Sequence, residues 1–223
     1  MKFAVIAAPR VGTHMLRAGL NEHPGIFVSD EVLNPNHAGD LLRTRTGKQI
    51  IEKWQREAVK RAPNLGTLLH RNLYWVKVRG AVWKDVGRMH TKFVSLVRDN
   101  ILKKYLSQEV AMKLRNWNSY KPRTKTSPRI KLSVYGLQQH VLECRNYFDT
   151  VDMRYPNKLV VVYEDLCESW QATMARVQKY LGVPVRKLKV MTVRQEKRSL
   201  QDSILNYDEV AAAVTSWGCA RWL

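Results

Sequence analysis

The sequence has little cysteine and lacks a long apolar run. Three cysteines occur in 223 residues, at Cys144, Cys167 and Cys219, and they form no C-x-x-C pair. This count excludes a disulfide framework or a zinc site and favours reduced thiols. No apolar run approaches the roughly 18 residues that a membrane-spanning helix needs. A strand pattern begins by Phe3, so we expect a cytoplasmic protein without a signal peptide or a membrane span.

Acidic residues are also scarce. The 38 lysine and arginine residues outnumber 19 aspartate and glutamate residues, which gives a formal net charge of +19. Such an excess predicts an anionic partner, a class that includes nucleic acids, acidic polysaccharides, membrane surfaces and polyphosphorylated cofactors. Net charge alone cannot rank these partners. Internal repeats and low-complexity tracts are absent, and the length predicts a single domain over residues 1–223.

Strand patterns and helix patterns alternate along the chain. Strands are predicted at residues 3–8, 80–83, 92–97 and 158–163. Helices are predicted at residues 13–21, 48–61, 100–114, 132–148 and 169–181. This alternation predicts an α/β fold of three layers, with a mostly parallel sheet flanked by helices.

Two stretches near the helices are strongly basic. Residues 113–131 contain seven basic residues, no acidic residue, and the prolines Pro122 and Pro128. We predict a basic mobile surface loop there, with Trp117 and Tyr120 as candidates for stacking on a sugar or an aromatic acceptor. A second basic cluster covers residues 186–198.

Residues 9–14 lie between a predicted strand and a predicted helix. Backbone amides in such a loop converge on an anion, and the helix dipole adds about half a positive charge. Gly12 permits a backbone angle or a close approach that a Cβ would block. Thr13 can cap the helix or donate its hydroxyl to the anion. The loop has no Gly-Lys-Ser/Thr, so it is not a Walker A loop.

A second strand, at residues 92–97, ends on Arg98, and the following helix carries Ser107 nine residues later. Open α/β sheets bind ligands at the carboxyl ends of their strands. The two segments therefore predict a site for a nucleotide with phosphates at two ends. In the alternative interpretation, Arg98 pairs with Asp99 or Glu109 and Ser107 faces solvent.

These segments together resemble the sulfotransferases that use 3′-phosphoadenosine 5′-phosphosulfate (PAPS). Residues 8–14 resemble the 5′-phosphosulfate loop, and residues 96–107 resemble the 3′-phosphate motif. Further stretches are similar, in the family's order, to bacterial carbohydrate-type members: residues 21–26, 30–35, 161–166 and 193–210. The resemblance implies a P-loop NTPase-like sulfotransferase fold.

The implied activity is transfer of a sulfuryl group from PAPS to a hydroxyl or amine of an acceptor. The resemblance implies a 5′-phosphosulfate site made by Arg10, Val11, Gly12, Thr13, His14 and Met15. It implies a 3′-phosphate site made by Arg98 and Ser107. In the basic cluster at 186–198, Arg194, Lys197 and Arg198 are candidates to close over the same phosphate, and a solvated charged face is the alternative for each. A sulfuryl group carries less charge than a phosphoryl group, so no metal is expected. The basic surface favours a glycan or another anionic acceptor.

Three residues are candidates for the chemical step. Arg10 would offset charge on the departing phosphate. Glu31 is the candidate general base, because residues 30–32 resemble the stretch that carries a catalytic glutamate in bacterial carbohydrate-type members. Histidine is the rival base, as in animal cytosolic members, and His14 lies closest to the donor loop, where we expect it to bind the phosphosulfate. Lys84, after the predicted strand at 80–83, is a further candidate.

The sequence also departs from the family's pattern. Val11 stands where the family commonly has Ser or Thr, so one hydroxyl contact to the donor is lost. The chain is short, which leaves open whether a second subunit completes the acceptor site in a homo-oligomer. Three other functions remain open: a basic nucleic-acid-binding protein, a P-loop-like nucleotide kinase, and a sulfotransferase-like module that binds nucleotide without turnover.

Overall fold

A computed structural model describes residues 1–34, 45–70, 82–117, 127–191 and 198–223. Five strands in these ranges form one sheet: β1 (Lys2–Ala7), β2 (Ile26–Glu31), β3 (Asn64–His70), β4 (Lys92–Val97) and β5 (Leu159–Val162). Their order across the sheet is β2-β3-β1-β4-β5, and all four pairings are parallel. The predicted α/β class with a parallel sheet is confirmed.

Helices connect and cover the strands. The described helices are α1 (Thr13–Asn21), α2 (Gly47–Ala58), α3 (Val82–Met89), α4 (Ile101–Leu114), α5 (Val134–Arg154), α6 (Tyr163–Glu168), α7 (Trp170–Leu181), α8 (Leu200–Ser203) and α9 (Tyr207–Ser216). A short 3₁₀ helix follows at Ala220–Trp222. Helix α1 has the predicted bounds, and the other four predicted helices are present with ends that differ from the prediction by at most six residues.

One predicted strand is wrong. Of residues 80–83, the first two lie outside the described residues, and Val82 begins α3 instead of ending a strand. Helix α3 carries Asp85 in its first turn and Arg88 in its last turn, the charge order that complements the helix dipole. Lys84 therefore lies exposed on a helix and not at the end of a strand.

Two strands were missed by the sequence patterns, and glycine explains one of them. Gly66 of β3 pairs with Phe3 of β1 and with Val28 of β2. A Cβ at Gly66 would lie 2.5 Å from the Phe3 ring and 2.9 Å from a Val28 methyl group. Close packing of neighbouring side chains thus requires the glycine that weakens the strand pattern.

The core has two parts. Strand β1 is buried on both faces and leads a large apolar cluster that includes Leu16, Leu68, Leu96 and Val161. A second apolar cluster joins α4, α5, α8 and α9 around Leu102, Leu137 and Ile204. The arrangement is typical of a parallel sheet that helices cover on both faces.

The predicted basic loop at 113–131 is partly structured. Helix α4 continues to Leu114, and residues 118–126 lie outside the described residues. At the far end, Ile130 N donates to Ser203 O at 2.9 Å, and Ile130 O accepts from Leu205 N at 2.9 Å. Residues 113–114 therefore belong to α4, and Ile130 is held to the segment around α8, so the stretch without helix or strand pairing is shorter than predicted.

Candidate functional site

The carboxyl ends of the five parallel strands meet at one edge of the sheet. Polar residues lie at or just after each end: Arg10 and Thr13 after β1, Glu31 in β2, His70 in β3, Arg98 after β4, and Tyr163 and Glu164 after β5. This edge is where open α/β sheets bind their ligands.

The loop after β1 has an unusual backbone. Arg10 has φ 65° and Gly12 has φ 91°, so two of three consecutive residues are left-handed. A Cβ on Gly12 would lie 2.5 Å from Cδ2 of the Tyr163 ring. Backbone angle and ring contact thus both require glycine. The N-cap residue of α1 is Gly12, which has no capping side chain, so the first amides of the helix are suited to an anion.

Arg10 connects the two segments that the sequence singled out. Its Nε and Nη2 donate to Ser107 Oγ at 3.1 and 2.9 Å, across 97 positions of sequence. Its Nη1 donates to the carbonyl oxygen of Trp117 at 2.9 Å, and its guanidinium carbon lies 6.0 Å from the Trp117 ring centroid. The loop after β1 and helix α4 therefore form one site, in which Ser107 is not simply solvent-facing.

Arg98 lies beside the same loop. Its Nη1 donates to the carbonyl oxygen of Arg10 at 3.4 Å, and its guanidinium carbon lies 4.5 Å from the Tyr163 ring centroid. Its Nε is 3.8 Å from Glu164 Oε1, whereas Asp99 pairs with Arg221 at 3.1 Å. The alternative interpretation paired Arg98 with Asp99 or Glu109; among the described residues the ion pairs instead join Arg98 to Glu164 and Asp99 to Arg221.

Glu164 fixes the turn that presents Arg98. Its carboxylate accepts from Asp99 N at 3.1 Å and from Asn100 N at 3.3 Å. Asn100 in turn caps α4, because its Oδ1 accepts from Lys103 N at 2.8 Å. The contacts tie the ends of β4 and β5 together, which holds Arg98 against the loop.

A buried chain of polar groups runs from β2 to α1. Glu31 Oε1 lies 2.9 Å from His70 Nδ1, and Glu31 Oε2 accepts from Asn34 Nδ2 at 2.9 Å. His70 Nε2 lies 3.2 Å from Thr13 Oγ1. If Nδ1–H of His70 donates to the Glu31 carboxylate, Nε2 is left to accept a hydrogen bond from the Thr13 hydroxyl. Thr13 is thus the first residue of α1 and a partner of His70, and not the N-cap that was predicted.

His14 lies next to this chain. Burial lowers its pKa, Asp30 and Glu31 raise it, and Arg17 and His70 lower it again. Arg17 Nη2 is 3.5 Å from Asp30 Oδ2. The net lowering leaves His14 neutral at neutral pH, so it offers a hydrogen bond to an anion instead of a fixed positive charge.

The remaining predicted residues divide into three groups. Val11 is 2% exposed within the apolar core, so its side chain packs and only its backbone faces the loop; Met15 packs partly buried against that core. Arg198 Nη2 donates to Pro128 O at 3.4 Å. Arg194, Lys197 and Tyr120 lie outside the described residues.

His70 is the site residue that the sequence patterns missed. It ends β3, and β3 was not recognised because it has Gly66 and three leucines and no β-branched apolar residue. Tyr163 was seen only as part of a strand, although it begins α6 and contacts Gly12 and Arg98. The short apolar run before His70, formed by Leu68 and Leu69, is a sequence feature that could have indicated a strand ending at this histidine.

Comparisons with known proteins agree with the motif resemblance. The chain is 29% identical to Nodulation protein H of Rhizobium tropici over 226 residues, which cover 93% of this chain and 87% of that protein. It is 23% identical to Nodulation protein H of Rhizobium meliloti (strain 1021), covering 99% and 94% of the two chains. No model of a known protein family matches the sequence.

Among solved structures, a sulfotransferase from Alicyclobacillus acidocaldarius matches with a TM-score of 0.57 and 12% identity, covering 96% of this chain and 92% of that one. The chain has the sulfotransferase fold. The sulfotransferase fold that the motif resemblance implied is confirmed.

Two kinds of feature are absent from the described residues, a membrane-spanning helix and a metal-binding cluster. None of the described helices is both long enough and apolar enough to cross a membrane. Within the same ranges, His, Cys, Asp and Glu side chains form no group of three or more that could hold a metal ion.

Proposed function

We propose that this protein transfers a sulfuryl group from PAPS to a hydroxyl or amine of an acceptor. One observation carries the proposal. Arg10 of the loop after β1 donates two hydrogen bonds to Ser107 of α4, while Arg98 donates to the backbone of Arg10. Both predicted phosphate-binding segments thus contribute to one cationic site beside a buried carboxylate–imidazole pair.

The residues present fit a donor with phosphates at two ends. The helix N-terminus after Gly12, together with Arg10, Thr13 and His14, would hold the 5′-phosphosulfate, with Val11 and Met15 contributing backbone groups. Arg98 and Ser107 would hold the 3′-phosphate through a charge-assisted pair and a hydroxyl donor. Arg194, Lys197 and Arg198 would close over it. The bonds of Arg10 to Ser107 would then be exchanged for bonds to the donor.

Positioning and charge stabilisation would drive the chemical step. Bound PAPS supplies a sulfuryl group for in-line transfer through a loose transition state. Arg10 would offset the charge that grows on the departing phosphate, and removal of one such donor typically costs about 3 kcal/mol of transition-state stabilisation. The guanidinium of Arg10 reaches from the loop after β1 to Ser107 of α4.

Glu31 would accept the proton of the acceptor. His70 and Asn34 each hold one of its two carboxylate oxygens, so the base has a fixed orientation. His70 also contacts Thr13 of the donor loop, which joins the base to the group that binds the phosphosulfate. His14, neutral and close to Glu31, is the second candidate base.

The acceptor is proposed to be a glycan or another anionic molecule. The net charge of +19 supports an acidic acceptor, because such a surface raises the local concentration of anions. A salt-insensitive preference for a small neutral acceptor would contradict this part of the proposal.

A thermal shift experiment tests the proposed donor. Adenosine 3′,5′-bisphosphate, ATP, AMP and heparin are compared with the wild-type protein, Arg98→Ala and Arg221→Ala. At a hundredfold excess over Kd, the bisphosphate should raise Tm by about 5–10 °C. The rise should disappear in Arg98→Ala and persist in Arg221→Ala, whose exposed arginine pairs with Asp99.

Two results would overturn the proposal. One is no rise with the bisphosphate. The other is an equal rise with heparin and every nucleotide, which would indicate a generic basic surface of the kind that a nucleic-acid-binding protein presents.

A further inference from the structure

Two adjacent lysines of α4 have opposite surroundings. Lys103 is partly exposed, whereas Lys104 is 2% exposed. Lys104 Nζ donates to His140 Nε2 at 2.7 Å and to Cys144 Sγ at 3.3 Å. In the described part of the chain these are its polar contacts, and neither is an ion pair. A buried ammonium without a counter-charge is costly, so its retention needs an explanation.

The partners of Lys104 do not supply the missing charge. Burial, and then Lys104 itself, lowers the pKa of His140 to about 3, so this imidazole is neutral. Burial raises the pKa of the Cys144 thiol, so this group is also neutral at neutral pH. Glu143, also on α5, is exposed and lies 4.0 Å from His140 Nδ1.

The position of Lys104 relates it to the donor site. Lys104 lines a small cavity together with Arg98 and Val11; its other walls are Ala8, Leu96, Val97, Cys144, Tyr147 and Phe148. Ser107 follows Lys104 by three residues and therefore lies on the same face of α4. Burial lowers the pKa of Lys104, Cys144 and Glu143 raise it, and the charge of Arg98 adds a smaller lowering.

We propose that Lys104 is a buried cation of the donor site that takes up a proton when a phosphate binds at Arg98. This inference rests on the proposed function. A phosphate dianion on Arg98 would offset the repulsion between Arg98 and Lys104, and the low local dielectric makes this effect strong. Because binding favours the protonated amine, protonation must equally favour binding.

Lys104 is thus a positioning residue that acts on the donor through electrostatic interaction at a distance and not through direct contact. A purely structural lysine would keep its hydrogen bonds to His140 and Cys144 whether or not a phosphate was bound. Proton uptake on ligand binding separates these two roles. Among the described residues, the other titratable or charged groups near Lys104 are Arg98 at the end of β4 and, on α5, His140, Glu143, Cys144 and Tyr147.

The test is isothermal titration calorimetry with adenosine 3′,5′-bisphosphate between pH 8 and 9.5, in buffers of different ionisation enthalpy. The phosphates of this probe are fully ionised there, since their second pKa is about 6. The wild-type protein should take up protons on binding. Lys104→Met should take up none, and it should bind about tenfold more weakly at pH 7, with the difference shrinking as pH rises.

Two control variants separate the alternatives. Lys103→Met removes a neighbouring charge from the same helix and should keep the proton uptake. Cys144→Ala removes the thiol that contacts Lys104 Nζ and should also keep the proton uptake. Loss of uptake in Cys144→Ala with uptake retained in Lys104→Met would assign the proton to the thiol and overturn the proposal.

The remaining outcomes are distinguishable from failure of the proposed function. Absence of proton uptake by the wild-type protein overturns the role of Lys104 even if Lys104→Met does not fold. Selective binding with equal uptake and equal affinity in wild type and Lys104→Met overturns that role alone. Absence of any binding of the bisphosphate by the wild-type protein overturns the proposed function, and the role of Lys104 with it.

Discussion

Two buried histidines lie on either side of strand β1, and their partners differ in charge. His70, at the end of β3, lies between the carboxylate of Glu31 and the hydroxyl of Thr13. His140 contacts the ammonium of Lys104 on α4, the helix that follows β4. The carboxylate makes the first cluster suited to accept a proton. The ammonium makes the second cluster suited to attract an anion.

This difference divides the proposed reaction between two regions. The β2–β3 side would receive the proton of the acceptor, and the β4 side would hold the phosphates of the donor. The loop after β1 contacts both regions, through Thr13 on one side and through Arg10 and Val11 on the other.

Glu31→Gln should remove the base and leave the donor site intact. We expect kcat for sulfuryl transfer from PAPS to fall by about 10²–10⁴-fold, the usual range for loss of a general base. Release of adenosine 3′,5′-bisphosphate in the presence of a panel of saccharides measures this. The thermal shift with the bisphosphate is the control and should stay within about 1 °C of the wild-type value. Undiminished turnover would remove Glu31 from the reaction and favour His14.

Gly12→Ala should disrupt the loop that contacts both clusters. The left-handed backbone and the clash with the Tyr163 ring together should cost about 3 kcal/mol or more of unfolding free energy. Gly218 is a matched control, because it has φ 70° and nothing within 4 Å of an added Cβ. Gly218→Ala should cost only about 1–2 kcal/mol. Urea unfolding of both variants measures the difference, and equal losses would show that the Tyr163 contact is unimportant.

His70→Gln should have a smaller effect on catalysis than Glu31→Gln. Glutamine loses the rigid bridge between Glu31 and Thr13 but keeps hydrogen-bonding groups. We expect kcat to fall by about 10–100-fold, the range found when a supporting partner of a reactive group is lost. KM for PAPS should change less than threefold, or roughly 0.6 kcal/mol. A loss equal to that of Glu31→Gln would make His70 itself the base.

The His140 cluster should make the folded state less stable in acid. The pKa of His140 is lowered to about 3 by burial and by Lys104, so the unfolded chain binds more protons at this position between about pH 3 and pH 6.5. This position therefore stabilises the folded state fully above pH 6.5, and the contribution is lost as pH falls toward 3. His140→Gln should flatten the fall in stability below pH 6.5, as measured by urea unfolding from pH 4 to 7.

A third histidine, His90, provides a matched control for the acid-dependent loss of stability attributed to His140. Burial lowers the pKa of His90 to about 4, and the imidazole contacts Val86 O and Thr67 Oγ1 at the other end of the sheet. His90→Gln should flatten the same acid limb without any effect on binding of the bisphosphate. An unchanged acid limb in both variants would contradict the assignment of these pKa values.

Sequence patterns predict part of the fold. Strand β1 is apolar after Lys2, β4 is apolar except for Lys92 and Ser95, and helix α1 begins at Thr13 where the glycine-containing loop ends. Local patterns identify such elements because burial on both faces demands an unbroken apolar sequence. Strand β3 was not predicted, because Gly66 weakens its pattern. His70 was therefore not predicted as a site residue, since its position in the site depends on its place at the end of that strand.

Long-range contacts set a second limit. Arg10 and Ser107 are 97 residues apart, and Lys104 and His140 are 36 residues apart. No periodicity encodes these pairings, which depend on the order of strands in the sheet. The motif resemblance placed Arg10 and Ser107 in one ligand site, although it did not indicate their direct contact. Lys104 gave no signal, because a lysine next to another lysine on a helix has the pattern of a solvated face.

The most direct test of the account is the affinity ratio between adenosine 3′,5′-bisphosphate and AMP, measured by calorimetry for the wild-type protein and for Arg98→Ala. The two ligands differ by the 3′-phosphate alone. The account predicts a wild-type preference for the bisphosphate of about 100-fold, the value of one or two charge-assisted hydrogen bonds. The preference should fall below about threefold in Arg98→Ala. A wild-type ratio near one, or a ratio that Arg98→Ala leaves unchanged, would contradict the assignment of the 3′-phosphate site and the donor that it implies.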